Sequence, residues 1–154
     1  VDKQEIKPLS HRNVVTIVED IVDPSLPDRI REEMPGPVDV VLSDASPGLT
    51  GAWDLDQARQ VHLANQSLEI AKRVLRKGGN FFVKAFQGAD LPDFKSKLSE
   101  CFQTVRIVKP PASRSDSSEI YFLGLNYTGE RRPRSLPEEQ PDRPVSEDET
   151  ATRS

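Results

Sequence analysis

The chain has 154 residues, 21 of them basic and 25 acidic, with a formal net charge of −4. That length has room for one domain, and the charge excludes a global basic field of the kind that draws nucleic acid, while leaving space for a local basic groove. Its single cysteine, Cys101, excludes an internal disulfide and a cysteine-based metal cluster, and reads as a small core residue.

Asn13 to Val18 is a β-branched run and is expected to be a strand ending in Glu19-Asp20. Pro24 and Pro27 introduce a short helix, about Asp28 to Glu33, which Pro35-Gly36-Pro37 closes. Val38 to Leu42 is nearly continuous in apolar character, as in a strand buried on both faces. A loop from Ser43 to Ala52 follows, with Pro47, Gly48 and Gly51. Asp54 or Asp56 is placed to cap a long helix reaching about Arg76, in which Val61, Ala64, Leu68, Ala71 and Leu75 recur at spacings of three and four. Lys77-Gly78-Gly79 reads as its C-terminal stop. Strand Asn80 to Ala85, helix Leu91 to Phe102, strand Val105 to Lys109 and strand Glu119 to Asn126 complete the series. The alternation predicts an α/β fold with a mostly parallel sheet, the last two strands forming an antiparallel pair at one edge. Residues 1 to 128 form the expected domain. From Gly129 onward, prolines and charges with almost nothing apolar predict a disordered tail, residues 129 to 154, without a catalytic part.

Three ionisable side chains stand at or beside strand ends: Asp44, Lys84 and Glu119, spaced 40 and then 35 residues apart. In open α/β sheets, ligands and chemistry gather at such ends. Lys84 interrupts Phe81-Phe82-Val83 and Ala85-Phe86, and a lysine there must snorkel out or find an acid. Asp44 is either a turn residue or a carboxylate facing a ligand, and Glu119 either an edge charge or a second acid for Lys84. An amine between two acids is suited to managing the proton of a weak acid such as a sugar hydroxyl. Asp2 and Asp20 are turn or cap residues on one reading. On the other they are strand-tip acids that bind ribose hydroxyls or an adenine amino group. The Lys109 to Arg114 loop is either a phosphate-holding element or a solvated connection. His11 and His62 sit near no carboxylate cluster, and no metal site is expected. No apolar run approaches the ~18 residues of a membrane span, and no signal-peptide pattern opens the chain, so a cytoplasmic setting is expected.

Ser-Asp-Ala-Ser-Pro at 43 to 47, Val-Lys-Ala-Phe-Gln-Gly at 83 to 88 and Lys-Pro-Pro-Ala-Ser-Arg-Ser-Asp-Ser-Ser-Glu-Ile-Tyr at 109 to 121 together resemble the FtsJ-like (RrmJ/RlmE-type) ribose 2′-O-methyltransferases, in order and spacing over residues 1 to 128. The resemblance implies a Rossmann-like sheet and S-adenosyl-L-methionine (SAM) as cofactor. It implies that Lys84 is the catalytic lysine acting on the ribose 2′-hydroxyl. Asp44 would support Lys84 and contact the methionine end of SAM, and Glu119 would complete the carboxylate pair. Asp2 would lie near the cofactor's ribose and Asp20 would meet its adenine. Phe86-Gln87-Gly88 resembles the ribosomal RNA branch, which implies as substrate a uridine in 23S rRNA or the large ribosomal subunit.

The family pattern also has a strand and a Gly-x-x-Pro-Gly-Gly-Trp-like loop before the acid aligned with Asp2, and a first lysine before that loop. Neither stands before Asp2 here. The expectation is an N-terminally incomplete fold, either a truncated start of a longer enzyme or a short inactive product, and little methyl transfer by residues 1 to 154 alone. Two further functions stay open: a non-catalytic RNA-binding remnant, and a tRNA ribose 2′-O-methyltransferase of the same family.

Overall fold

A computed structural model describes residues 1–7, 9, 11–109 and 117–129. All of the Lys109 to Arg114 loop after Lys109, and the tail from residue 130, lie outside the described residues. Among the described residues, three helices and four strands follow in the order α1 (Leu26–Glu33), β1 (Val38–Ser43), α2 (Trp53–Val74), β2 (Leu75–Phe86), α3 (Leu91–Cys101), β3 (Phe102–Val108) and β4 (Glu119–Tyr127).

The sheet order is β1-β2-β4-β3. Strand β1 runs parallel to β2, and β4 runs antiparallel to both β2 and β3. The α/β class and the antiparallel β3–β4 pair are as the sequence predicts. The outermost strand is β3, however, because β4 inserts between β2 and β3. Strand β4 ladders with β2 through Glu119 to Gly124 and with β3 through Tyr121 to Tyr127, and Ile120 and Phe122 point from it into the core.

The core lies on one face of the sheet. Phe81, Val83 and Ala85 of β2 meet Ile120 and Phe122 of β4, and are covered by Ala64, Leu68 and Ala71 of α2 and Phe94, Leu98 and Cys101 of α3. The predicted α2 stripe is therefore real, with Val61 half-buried at its start. Gly124 makes room for Phe102: a Cβ there would meet the ring at 2.8 Å. The ring in turn lies 5.9 Å from Phe81 and 5.4 Å from Tyr127, centroid to centroid.

Several expected local features differ. Residues 13 to 18 form no strand; their one ladder contact is an isolated parallel bridge between Val18 and Asp2. A strand needs a neighbour along its length, and the described residues offer this one only at its tip. Helix α2 ends at Val74, not near Arg76, so Gly78 and Gly79 lie inside β2 instead of stopping the helix. There Gly79 backs onto the carbonyl of Asp39, and the β1–β2 register shifts between Val38 and Val40. Strand β1 is not buried on both faces: Val40 is 48% and Leu42 73% exposed on one face, while Val38 and Val41 pack partly against the core.

Candidate functional site

Parallel pairing of β1 with β2, in which Ser43 sits beside Val83, sets Asp44 next to Lys84. Antiparallel pairing of β2 with β4 sets Tyr121 opposite Lys84 and Glu119 opposite Phe86. Two short registers thus gather residues far apart in sequence. The Lys84 Nζ lies 3.1 Å from Asp44 Oδ1 and 4.0 Å from Glu119 Oε1.

Lys84 is 7% exposed, whereas the two acids are open to solvent. Desolvating a charged amine costs several kcal/mol, and a pair with a solvent-exposed carboxylate returns only about 0–1 kcal/mol. Stability alone does not account for such a lysine. A desolvated amine beside two open carboxylates at strand ends is instead the arrangement expected where a ligand binds.

Tyr121 joins the cluster. Its hydroxyl donates to Asp44 Oδ1 at 3.3 Å, and its ring stacks on Phe82 with centroids 4.9 Å apart. Burial first, and then the charges of Asp44 and Glu119, raise the phenol above its ordinary pKa of 10.0. The hydroxyl therefore stays protonated and serves as a donor.

The loop between β1 and α2 is fastened at both ends. Asp56 accepts from the Thr50 amide at 2.9 Å, the Thr50 hydroxyl at 2.8 Å and the Gly51 amide at 3.0 Å. These bonds hold the Asp56 carboxyl below its ordinary value despite burial. Asp56 thus ties the incoming loop, while the helix begins at Trp53 after Ala52 without a side-chain cap. Nearer the strand end, Gln60 Nε2 donates to the carbonyls of Ala45 and Lys84, each at 3.0 Å. Sequence reading missed Gln60 and Tyr121. A signal existed for the glutamine, which stands one turn before Ala64 on the buried stripe of α2, where an uncharged polar residue requires an internal partner.

Asp2 and Asp20 do not join the Lys84 cluster. Asp2 Oδ1 accepts from the Gln4 amide at 2.9 Å and Asp20 Oδ1 from the Val22 amide at 3.1 Å, so both close local turns. Backbone bonds from Asp2 to Ile17 and from Glu19 to Asp2 join the two segments, and Glu19 pairs with Arg29 of α1. Asp2, Asp20 and Asp44 nevertheless line one cavity of about 960 Å³, whose apolar wall includes Ile21, Val22 and Leu26. Lys109 Nζ donates to the Ser117 carbonyl at 3.0 Å, and the Ser117 hydroxyl accepts from the Glu119 amide at 3.2 Å, fixing the entry to β4. Arg114 lies outside the described residues. No described helix is long and apolar enough to cross a membrane.

An open mixed α/β sheet, with an amine and two carboxylates at its strand tips beside a large acid-lined cavity, defines a Rossmann-like class of protein. A family model for FtsJ-like methyltransferases matches residues 1–127, and the chain belongs to that family. It is similar to proteins named ribosomal RNA large subunit methyltransferase E. The one from Methanocaldococcus jannaschii is 40% identical over 134 residues, covering 85% of this chain and 55% of the relative. That from Archaeoglobus fulgidus is 44% identical over 127 residues, covering 82% and 65%. The one from Methanothrix thermoacetophila is 44% identical over 124 residues, covering 80% and 48%. The chain spans about half the length of most of these curated relatives. A solved structure from Plasmodium falciparum, described as a ribosomal RNA methyltransferase, superposes with a TM-score of 0.72 at 25% identity, covering 83% of this chain and 70% of that one.

Proposed function

We infer that this chain carries the reacting centre of a cytoplasmic, SAM-dependent methyltransferase that modifies a ribose 2′-hydroxyl, at a uridine of 23S rRNA in the large ribosomal subunit. The observation that carries the reading is the Lys84 amine set 3.1 Å from Asp44 and 4.0 Å from Glu119 at the open end of the sheet. The names of the relatives favour ribosomal RNA over tRNA as the substrate.

The residues present fit the cofactor. Carboxylates at Asp2, Asp20 and Asp44 suit a ligand with ribose hydroxyls, an amino-bearing heterocycle and cationic groups, and Ile21, Val22 and Leu26 suit the flat face of that heterocycle. Asp2 and Asp20 would hold the nucleoside end, and Asp44 the end nearest Lys84. When bound, SAM supplies an electrophilic methyl carbon.

A sugar hydroxyl is a very weak acid, so its oxygen needs help in losing a proton as the new bond forms. Lys84 would orient that oxygen and steer its proton to the neighbouring Asp44 or Glu119 carboxylate as the oxygen–carbon bond forms and the donor's sulfur–carbon bond breaks. Asp44 and Glu119 fix where the amine points, and the Tyr121 hydroxyl keeps one Asp44 oxygen in place. Alignment of oxygen and carbon then supplies most of the remaining rate. Mass-spectrometric mapping of 2′-O-methyl groups in ribosomal and transfer RNA from a deletion strain tests the assignment. Loss of one methyl group from a 23S uridine is the expected result; loss from tRNA, or no loss from either, contradicts it.

A further inference from the structure

Trp53 opens α2, yet the residue is 49% exposed. One face stacks on Phe86, with ring centroids 6.3 Å apart and planes 19° from parallel. Phe86 lies on β2 two residues beyond Lys84, on the same face of the strand and about 7 Å along it, and directly opposite Glu119. The indole therefore stands at the rim of the Lys84 cluster, in a stretch of sequence where Leu49 and Leu55 are also 71% and 45% exposed.

This ring is also held in place. Asp56 fastens Thr50 and Gly51 just ahead of it. Gln57 fills the space beside Gly88, where a Cβ would fall 1.4 Å from its Nε2, and Gln60 clamps α2 to the backbone of Lys84. The start of the helix is thus bound to both strand ends, and little ordering entropy is left to lose when a ligand lands.

We propose that the exposed region of the Trp53 indole is a stacking platform for a base of single-stranded RNA, next to the nucleotide whose ribose meets Lys84. The proposal rests on the RNA methyltransferase reading and adds a binding subsite to it. Aromatic rings receive unpaired bases because every base has a π face, which gives purchase without a basic field. That matters for a chain with net charge −4. A platform one strand step from the reacting amine would also splay the strand and present the target ribose.

The chain holds a single tryptophan, so its intrinsic fluorescence reports on this ring alone. The experiment titrates the 154-residue chain with a short fluorescein-labelled single-stranded RNA, following label anisotropy and tryptophan emission together. Binding with saturable quenching of Trp53 at the same midpoint is expected. Trp53→Ala should weaken the anisotropy-measured affinity by about 5- to 150-fold, and Trp53→Phe should restore most of it. Binding without quenching, and unchanged in Trp53→Ala, overturns the platform while leaving the RNA reading in place. No anisotropy change with wild-type chain that melts cooperatively overturns both.

Discussion

The side-chain amide of Gln60 holds the backbone of Lys84, donating to its carbonyl at 3.0 Å while also reaching the Ala45 carbonyl at 3.0 Å. One buried side chain on α2 thus joins the residue after Asp44 to the strand that carries the amine. The separation between amine and acid is set by the backbone before either side chain chooses a rotamer.

Replacing Gln60 with leucine keeps the volume and leaves two carbonyls without their donor. Leaving a buried polar group unpaired costs about 1–3 kcal/mol. Gln60→Leu is expected to lower unfolding free energy by that order in urea denaturation, and to reduce methyl transfer more than cofactor binding. Unchanged stability would mean the two bonds are dispensable.

Asp56 gives the stability a definite acid limb. Its folded carboxyl sits below the ordinary 3.8, held there chiefly by the Thr50 amide and hydroxyl. A lowered folded value stabilises the fold above the unfolded pKa, and that contribution is lost as pH falls through the folded one. Asp56→Asn is therefore expected to be less stable at neutral pH, with the difference shrinking below about pH 4. Thermal melts across that range check it; a constant difference contradicts the coupling.

Phe102 occupies the volume that a side chain at position 124 would need. A Cβ there meets three ring atoms at 2.8 to 3.0 Å, and Phe81 and Tyr127 close off the ring's retreat. Overpacking of this type costs about 1–3 kcal/mol. Gly124→Ala is expected to lower the denaturation midpoint, and Phe102→Leu in the same chain to recover part of the loss.

The Lys84 cluster was legible because two of its members adjoin apolar runs whose pairing is strongly dictated by pattern, and because lysine in the midst of Phe82, Val83, Ala85 and Phe86 is anomalous. The stripe of α2 was legible for the same reason of period. Residues 13 to 18 misled because β-branched composition says nothing about whether a neighbouring strand is present. Gly78 and Gly79 misled because a glycine pair serves a register shift as readily as a helix end. Gln60 and Asp56 were opaque as partners: their role depends on which loop folds back over α2, and loop 44–52 has no periodic signal of its own.

The central claim is that the Lys84 amine governs methyl transfer to a ribose 2′-oxygen. It is tested most directly by a Lys84→Ala substitution at the chromosomal gene, with 2′-O-methyl stoichiometry measured by mass spectrometry of ribosomal RNA and the protein's abundance checked in the same cells. A general acid–base group contributes about 10²- to 10⁴-fold to rate. The account predicts that the substituted protein accumulates while its rRNA site stays almost wholly unmethylated. Full methylation at normal abundance would contradict it.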